Sequence, residues 1–481
     1  MKKKSGEKSI SAKKKETMSL SVKEGAAVSV MIGAGHSFII PYALAIGAGN
    51  LAIGFLNSFI GLVGPLTQLK STRLMEKYPR KKIVFYAILI QALMWMPIML
   101  LGLLFFRDIF TQYLPFLLII FYSLHIGAGA LASPIWFSWM GDIVPAKNRG
   151  KYFSFRNRVV RFVTVVSMLA AGFFLDYFKT GGFVLLGFSV LFSFAMIFRL
   201  YSIYLFSKHY DPGIKLKKGY YFSFFDFLKH SRENNFGRFV IFVGAIFFAM
   251  SIATPFFAVY MLEELGFSYV WYTLIILAPV VLSLFSLSFW GKISDKYGNR
   301  LVIFIAALSA PIYPLLWLFS TSKIYLLIVP PILAGLFWGG FNLATINFVY
   351  DSAKKEHRSL CLAYLHVLMG VGIFAGSILG GVIAKYGSVE YFNDLLNLGF
   401  GNIFLYIFLF SAFARFLVVV VLLHRIKEVR DTKLPPILTE ELKHLENFEA
   451  GMTHFNGSMF HYLDVGDIGK EDINKVGRVF R

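Results

Sequence analysis

Twelve long apolar stretches, separated by short polar loops, constrain this chain more than any other feature of its sequence. An α-helix needs about 20 apolar residues to cross the hydrocarbon core of a bilayer, and each stretch approaches or exceeds that length. Hydrophobic residues make up 57% of the 481 residues, a share that an ordinary soluble fold cannot bury. The sequence therefore predicts an all-α membrane protein with about twelve transmembrane helices. The stretches lie near residues 25–47, 50–69, 82–106, 113–142, 151–177, 180–206, 238–262, 270–290, 301–319, 323–350, 358–386 and 402–425.

The distribution of positive charge indicates the topology. Residues 1–23 contain eight lysines and precede a stretch longer than a signal-peptide core, which predicts an uncleaved first helix. In a soluble chain the net charge of +21 would favour nucleic acid as a partner. Here the cations gather in alternate loops, so the expected partner is the lipid bilayer and no nucleic acid, with both termini cytoplasmic and the protein in the cell membrane. The cytoplasmic loops hold Lys70, Arg73, Lys77, Arg80, Lys81, Lys82, Lys147, Arg149, Lys151, Lys354, Lys355 and Arg358; the exceptions on the other side are Arg107, Lys179, Lys323 and Lys385.

Composition divides the chain into five segments. Two blocks of apolar stretches are joined by a basic and aromatic linker, which lies either on the cytoplasmic membrane surface or under cover in the cytosol. The polar tail contains a short helical pattern from Leu438 to Ala450. Cys361 is the only cysteine, so no intrachain disulfide is expected. The segments are a cytoplasmic basic N-terminus (1–24), an N-terminal six-helix bundle (25–207), a cytoplasmic interdomain linker (208–237), a C-terminal six-helix bundle (238–427) and a cytoplasmic tail (428–481).

A weak internal repeat relates the two blocks. Four residues recur 209 positions later in the chain, on both sides of equivalent basic loops. Four identities between apolar segments could arise by chance, but they agree with the number of helices. The repeat therefore indicates two pseudo-symmetric six-helix bundles. The pairs are Asp142 with Asp351, Arg149 with Arg358, Gly172 with Gly381 and Tyr177 with Tyr386.

One loop carries a specific motif, WGKISDKYGNR, which runs from Trp290 to Arg300 between two apolar stretches. Gly291 allows two helices to approach closely, Asp295 supplies a charge that must stay at the water interface, and Gly298 permits a tight reversal. This spacing resembles the loop signature of the major facilitator superfamily of secondary transporters, which lies between helices 2 and 3 and recurs between helices 8 and 9. The resemblance implies transport by alternating access between two halves.

The earlier copy of this motif is degraded, since Glu76 preserves the acid but Thr72 and Pro79 replace the two glycines. The connection GDIVPAKNRG, which holds Asp142 and Arg149, resembles the superfamily's connection between helices 4 and 5. The resemblance implies a cytoplasmic gate, in which the later acid contacts the start of helix 5 and the earlier acid faces helix 11. The gate candidates are Glu76, Asp142, Arg149, Gly291, Asp295, Gly298, Arg300, Asp351 and Arg358.

The resemblance also implies that helices 1, 4, 7 and 10 line a central cavity. Polar residues that share a face on these helices are candidates for substrate binding, because a buried polar group is costly inside a bilayer. A structural role, hydrogen-bonded to a neighbouring carbonyl, is the alternative for His36 and His125, and packing is the alternative for Trp136 and Trp338. His36 is also the candidate for proton coupling, since histidine titrates near neutral pH. The cavity candidates are His36, Tyr122, His125, Trp136, Trp338, Asn342 and Thr345.

Charged residues in the apolar stretches limit the mechanism further. Carboxylates lie near the ends of the stretches and none is expected in mid-membrane, which argues against a carboxylate proton relay. Arginines do reach inward, where they either snorkel, pair within the protein, or bind an anionic or polar substrate. The carboxylates are Asp142, Asp176, Glu263, Glu264 and Asp351, and the arginines are Arg156, Arg158, Arg161, Arg199 and Arg415.

No motif typical of a hydrolase or an ATP-driven pump occurs in the sequence, so neither an enzymatic activity nor a cofactor is expected. We therefore expect secondary active or facilitative transport of a small-molecule substrate. Protons are a candidate coupling ion, and a monomer is the favoured state. A non-transporting membrane receptor or scaffold on the same fold is the alternative.

Overall fold

The described part of the protein is built from α-helices. A computed structural model describes residues 2–212, 234–320, 322–353 and 357–430, and these residues contain no β-strand, in agreement with the predicted fold class. The first eight helices are α1 (Lys2–Ala34), α2 (Ile39–Ala45), α3 (Asn50–Lys77), α4 (Arg80–Leu93), α5 (Trp95–Phe106), α6 (Leu114–Ile143), α7 (Arg149–Thr180) and α8 (Val184–Ser207). The others are α9 (Asn235–Ser251), α10 (Thr254–Val259), α11 (Tyr269–Tyr297), α12 (Asn299–Ser309), α13 (Ile312–Leu316), α14 (Lys323–Ser352), α15 (Arg358–Tyr386), α16 (Val389–Leu396) and α17 (Ile403–Leu422).

Twelve spans within these residues are long and apolar enough to cross a membrane, which confirms the predicted number. Some spans contain two helices in line, because proline lacks the N–H that would continue the first helix. Pro97 follows the break between α4 and α5, and Pro255 follows the break between α9 and α10. The spans are Ile10–Ala45, Asn50–Lys77, Arg80–Phe106, Thr111–Ile143, Arg149–Thr180, Val184–Ser207, Asn235–Glu264, Tyr269–Tyr297, Asn299–Phe319, Lys323–Ser352, Leu360–Tyr386 and Ile403–Arg425.

Several predictions concern residues outside the described ranges. They include most of the linker, the loop lysines Lys354 and Lys355, and the tail beyond residue 430 with its helical pattern from Leu438 to Ala450. Inside the described ranges, α1 begins at Lys2, so the lysine-rich segment is continuous with the first membrane helix.

Backbone contacts divide the chain into two compact units. Unit 1 takes helices from both blocks of the sequence, whereas unit 2 takes residues only from the second block and the adjoining linker and tail. The domain boundaries drawn at the linker stay a prediction. Unit 1 contains residues 1–220, 250–277 and 369–408, and unit 2 contains residues 221–249, 278–368 and 409–481.

Within unit 1, α3 and α15 approach each other through glycines. A Cβ atom on Gly54 would lie 2.6 Å from the carbonyl oxygen of Ser377 and 2.9 Å from the Cα atom of Gly381. A Cβ atom on Gly370 would lie 2.7 Å from the carbonyl oxygen of Gly61. Small residues permit this close backbone approach, which is common between membrane helices.

The two loops that the internal repeat relates, residues 144–149 and 353–358, have the same local structure. Arg149 Nε donates to the carbonyl oxygen of Val144 at 3.3 Å, and Arg358 Nε donates to that of Ala353 at 3.2 Å. Each donor and each acceptor lies 209 positions from its counterpart, as the sequence repeat predicts. The arginine thus bridges the loop that joins consecutive membrane helices in each unit.

The repeated aspartates also make related contacts. Asp142, near the end of α6, forms an ion pair with Arg80 at 2.8 Å, and Arg80 is the first residue of α4. Asp351, near the end of α14, accepts a hydrogen bond of 2.6 Å from Asn299, the first residue of α12. Asp351 also pairs with Arg430 at 2.7 Å. In each unit the acid therefore ties two neighbouring membrane helices together at one end.

The loop that carries the motif from Trp290 to Arg300 belongs to unit 2 and has the predicted tight reversal at Gly298, where φ is +91°. The carboxylate of Glu428 occupies the space beside this glycine and accepts a hydrogen bond of 2.7 Å from the backbone N–H of Arg300. Asp295 is exposed and lies 3.9 Å from Arg430. The loop is therefore held by residues that follow the last membrane helix.

Gly291 does not have the packing role expected from the motif. A Cβ atom on Gly291 would meet no described atom within 4 Å, so no neighbouring helix approaches closely at this position. Glu76, which corresponds to Asp295 in the earlier copy of the motif, is exposed near the end of α3. The predicted contacts of Asp295 with the start of α7 and of Glu76 with α15 stay predictions.

Candidate functional site

A break in the first membrane span positions His36. The residues between α1 and α2 form a short 3-10 turn, and His36 is its first residue. The break follows Gly35, where a Cβ atom would lie 2.6 Å from the Trp95 ring. The centres of the His36 and Trp95 rings are 6.1 Å apart. The turn therefore holds a half-buried histidine close to a buried tryptophan of unit 1.

His36 is paired with a second histidine, which α6 contributes. The Nε2 atoms of His36 and His125 are 2.7 Å apart, and His125 Nδ1 lies 2.7 Å from the carbonyl oxygen of Gln91. A carbonyl oxygen can only accept, so His125 Nδ1 donates to it and, with both rings neutral, His125 Nε2 accepts from His36. Among the described residues, none donates to His36 Nδ1. A proton can therefore be taken up at His36 Nδ1 while the other hydrogen bonds stay as they are.

Aromatic rings enclose His125, whose side chain is fully buried. The Tyr122 ring stacks on it at a centroid distance of 5.5 Å and an angle of 7°, and the Trp95 ring lies at 4.7 Å. The structure thus brings together three predicted cavity residues, His36, Tyr122 and His125. Trp95 was missed, because the resemblance places the cavity on other helices and only the tertiary contacts with Gly35 and His125 reveal it.

A line of polar contacts continues from the histidine pair to a buried ionic cluster. Gln91 Oε1 accepts a hydrogen bond of 2.8 Å from Arg199 Nε. Arg199 Nη1 lies 3.8 Å from one carboxylate oxygen of Glu24, and Arg156 Nη2 lies 3.3 Å from the other. Neighbouring charges and hydrogen bonds thus connect Glu24 on α1 with His36 in the turn that follows this helix.

Glu24 adds a buried carboxylate to those named from the sequence. It belongs to the long span Ile10–Ala45 and is only 5% exposed. The first apolar stretch begins after this residue, so the sequence placed it in the polar N-terminal segment. Burial is tolerable because Arg156 and Arg199 neutralise the carboxylate. Pairing within the protein is therefore the observed state of these two arginines, and the expectation that no carboxylate lies in mid-membrane stays a prediction.

The other cavity candidates do not contact the histidine pair in the described residues. The ring of Trp136 packs against the guanidinium group of Arg156, at 4.1 Å from its Cζ atom. Trp338, Asn342 and Thr345 belong to unit 2. Trp338 stacks on a neighbouring phenylalanine, Asn342 is exposed, and the buried Thr345 hydroxyl has no hydrogen-bond partner among the described residues. Their place in a substrate cavity stays a prediction.

Two contacts in unit 1 tie α11 to the site and to α7. The hydroxyl of Tyr272 donates to the carbonyl oxygen of Ser37, the residue after His36, at 3.1 Å. The carboxylate of Asp176 accepts from the backbone N–H groups of Tyr269 at 2.7 Å and Val270 at 2.9 Å. An acid at the start of a helix satisfies free N–H groups and is favoured by the helix dipole. Neither contact could be predicted from the sequence, since the partners are far apart in the chain.

Comparisons with known proteins agree with the motif. A family model described as Major Facilitator Superfamily matches residues 25–310 and 239–450. The staphyloferrin B transporter of Staphylococcus aureus is 28% identical over 140 residues, which are 28% of this chain and 33% of that protein. The class H tetracycline resistance protein of Pasteurella multocida is 30% identical over 93 residues, 19% of this chain and 23% of that protein. The aligned segments thus span a third or less of these relatives.

Solved structures share the fold along most of the chain. A D-xylose-proton symporter has a TM-score of 0.63 at 14% identity, with 88% of this chain and 99% of that chain covered. The nucleoside transporter NupG has a TM-score of 0.60 at 14% identity, with 86% and 99% covered. At this identity the likeness concerns the fold. Since the family model matches most of the sequence, this multi-pass integral membrane protein belongs to the Major Facilitator Superfamily.

Proposed function

We propose that the protein moves a small solute across its membrane by alternating access, as a secondary active or facilitative transporter. Membership of the superfamily and the fold shared with solute transporters support this activity, which is not an enzymatic one. The observation that carries the proposal is His36, a half-buried titratable group at a break in a membrane helix. Ionisable groups inside a membrane are costly and mark ion or substrate pathways, whereas a receptor or scaffold does not need one.

Protons are the coupling ion in this proposal. The hydrogen-bond chain leaves Nδ1 of His36 free of a donor in the described part of the chain and therefore able to take up a proton. One structural neighbour is a D-xylose-proton symporter. The substrate cavity contains His36, Tyr122 and His125 on unit 1, and its further candidates are Trp136, Trp338, Asn342 and Thr345.

The remaining parts of the proposal concern the gate and the cellular setting. When the cytoplasmic side closes, Asp295 contacts the start of α7 and Glu76 faces α15. The protein acts as a monomer in the cell membrane, with both termini in the cytoplasm. The alternation of charged and nearly uncharged loops along the sequence supports this orientation.

Uptake by the reconstituted protein tests the transport activity. Proteoliposomes and protein-free liposomes receive the same defined mixture of neutral sugars, nucleosides, carboxylates, phosphates and polyamines, with and without a pH gradient. Mass spectrometry of the washed vesicles then identifies what has entered. We expect at least one solute to enter the proteoliposomes alone. Equal contents in both kinds of vesicle, under every condition, would instead support a receptor or scaffold.

The topology predicts a cytoplasmic tail. In a Cys361→Ser background, a cysteine introduced by Gly457→Cys, outside the described residues, should react with an impermeant maleimide only after the cells are opened. A cysteine introduced by Asp108→Cys, in the exposed loop between α5 and α6, should react in intact cells and serves as the control. Labelling of position 457 in intact cells would contradict the twelve-span topology.

A further inference from the structure

The helix α7 exposes two stripes of different chemistry within one membrane span. The first stripe is apolar, with Phe155, Phe162 and Phe173 exposed by 52%, 70% and 63%. The second stripe is polar and also exposed. It consists of Ser154, Asn157, Arg158 and Arg161. Both stripes belong to the span Arg149–Thr180.

The two stripes face different surroundings. At 3.6 residues per turn their mean directions differ by about 100° around the helix axis. A third face packs on α1, where Tyr152 and Arg156 donate hydrogen bonds to backbone carbonyls. Phe155 and Phe162 lie on either side of the arginines along the axis, so exposed phenylalanines and arginines occur at the same level of the helix. An arginine facing hydrocarbon is strongly disfavoured, so we expect the polar stripe to face water.

The charge on this polar stripe is not neutralised by the described residues. Arg158 and Arg161 form no ion pair or hydrogen bond within the described ranges. Arg156, on the adjoining face of α7, and Arg199, on the neighbouring α8, share one carboxylate, that of Glu24. Four guanidinium groups on and beside α7 therefore stand against a single carboxylate.

The position of the two arginines suits the binding of an anion. They lie about 14 and 18 Å along the axis from Arg149, at 1.5 Å per residue, which is well inside a helix about 48 Å long. Residues three apart on a helix are neighbours, so both guanidinium groups can reach the same ligand. Guanidinium groups bind carboxylate and phosphate oxygens in a bidentate manner.

We propose that the solute of this transporter is an anion, whose carboxylate or phosphate group binds Arg158 and Arg161 on the water-facing stripe of α7. This inference rests on the proposed function, because it names the substrate class of the same transporter. A phosphate group can also come from an anionic lipid, if the two arginine side chains extend along the helix to the bilayer surface. The test therefore separates a soluble anion from a lipid headgroup.

Binding is measured first, because it does not depend on transport. Purified protein in dodecyl maltoside is titrated with citrate or inorganic phosphate at constant ionic strength, and thermal unfolding is followed by tryptophan fluorescence. A ligand that binds the folded state raises the unfolding temperature. We expect citrate or phosphate to raise it in the wild type, and Arg158→Gln or Arg161→Gln to weaken the apparent affinity about tenfold or more. Arg107→Gln, at an exposed loop position, is the matched control and should bind as the wild type does.

The outcomes separate the two sources of the anion. No shift with either citrate or phosphate, or an equal shift in both arginine variants, would overturn the proposal. Phosphatidylglycerol added to the micelles provides the lipid arm. If this lipid alone stabilises the wild type, and the arginine variants lose the effect, the arginines bind headgroups and the solute proposal is wrong. Because both side chains are exposed, their replacement should leave folding intact, which the unfolding temperature without ligand verifies.

The uptake experiment separates this inference from the proposed function. Wild-type proteoliposomes should take up anionic members of the mixture, and the Arg158→Gln, Arg161→Gln double variant should lose that uptake. Uptake of neutral or cationic solutes alone would overturn the anion proposal while leaving transport established. No uptake of any solute, together with citrate binding that depends on the arginines, would instead contradict the transport activity.

Discussion

Replacement of Glu24 by glutamine is expected to lower the free energy of unfolding by about 3 to 5 kcal/mol, the cost of breaking a buried ion pair by removing one partner. The carboxylate is 5% exposed and is shared by Arg156 and Arg199. Glutamine has nearly the same size, so the loss comes from the two positive charges left without their counter-charge. Unfolding in mixed micelles of dodecyl maltoside and SDS measures the difference.

Two further variants show whether the effect comes from charge. Glu390→Gln changes an exposed carboxylate on α16 and should leave the free energy of unfolding unchanged. Adding Arg156→Gln to Glu24→Gln removes one of the stranded charges, so the double variant should recover part of the loss. If Glu24→Gln unfolds like the wild type, the ionic cluster does not stabilise unit 1.

Replacement of His36 by glutamine is expected to abolish accumulation driven by a pH gradient and to preserve exchange of the solute. The glutamine amide can still donate to His125, but it does not titrate. With one proton per solute, each pH unit supplies about 1.4 kcal/mol, which corresponds to about tenfold accumulation in the wild type. Acidification of the side from which the solute enters should therefore increase accumulation in the wild type and leave the variant near equilibrium. Reconstituted transport of a solute found in the uptake screen provides the measurement.

The control for this variant is His424→Gln. His424 lies in the short 3-10 turn after α17, where it contacts the carbonyl oxygen of Val420, and its replacement should leave the pH profile unchanged. A His36→Gln protein with normal yield and the wild-type pH profile would remove His36 from the coupling mechanism. Reduced yield without a change in the profile of the remaining activity would indicate a structural histidine.

The membrane helices could be predicted from sequence because length and hydropathy alone decide whether a segment can span a bilayer. The predicted stretch 323–350, for example, corresponds to the span Lys323–Ser352. Hydropathy does not locate helix ends that leave the hydrocarbon, so the start of α1 at Lys2 was not foreseen. For the same reason Glu24 was assigned to the polar N-terminal segment.

The composition of the site was harder to predict than the fold. His36 and His125 were candidates separately, but their hydrogen bond joins positions 89 residues apart and depends on how α6 packs against the broken first span. Gln91 and Arg199 complete the network across 108 residues. Such contacts depend on how the helices pack together. A single sequence does not show which residues distant in the chain will be in contact. Gly291 shows the opposite error, where a family motif suggested a close contact that this structure lacks.

The hydrogen bond from Tyr272 to the Ser37 carbonyl places the histidine turn under a thermodynamic constraint. If protonation of His36 shifts this turn, it changes the strength of the bond to α11, and linkage requires an effect of equal size in the reverse direction. A solute or a mutation that moves α11 within unit 1 then alters proton binding by the same free energy with which the proton alters α11. The free energy that couples helix movement to proton uptake can therefore be measured either at His36 or at α11.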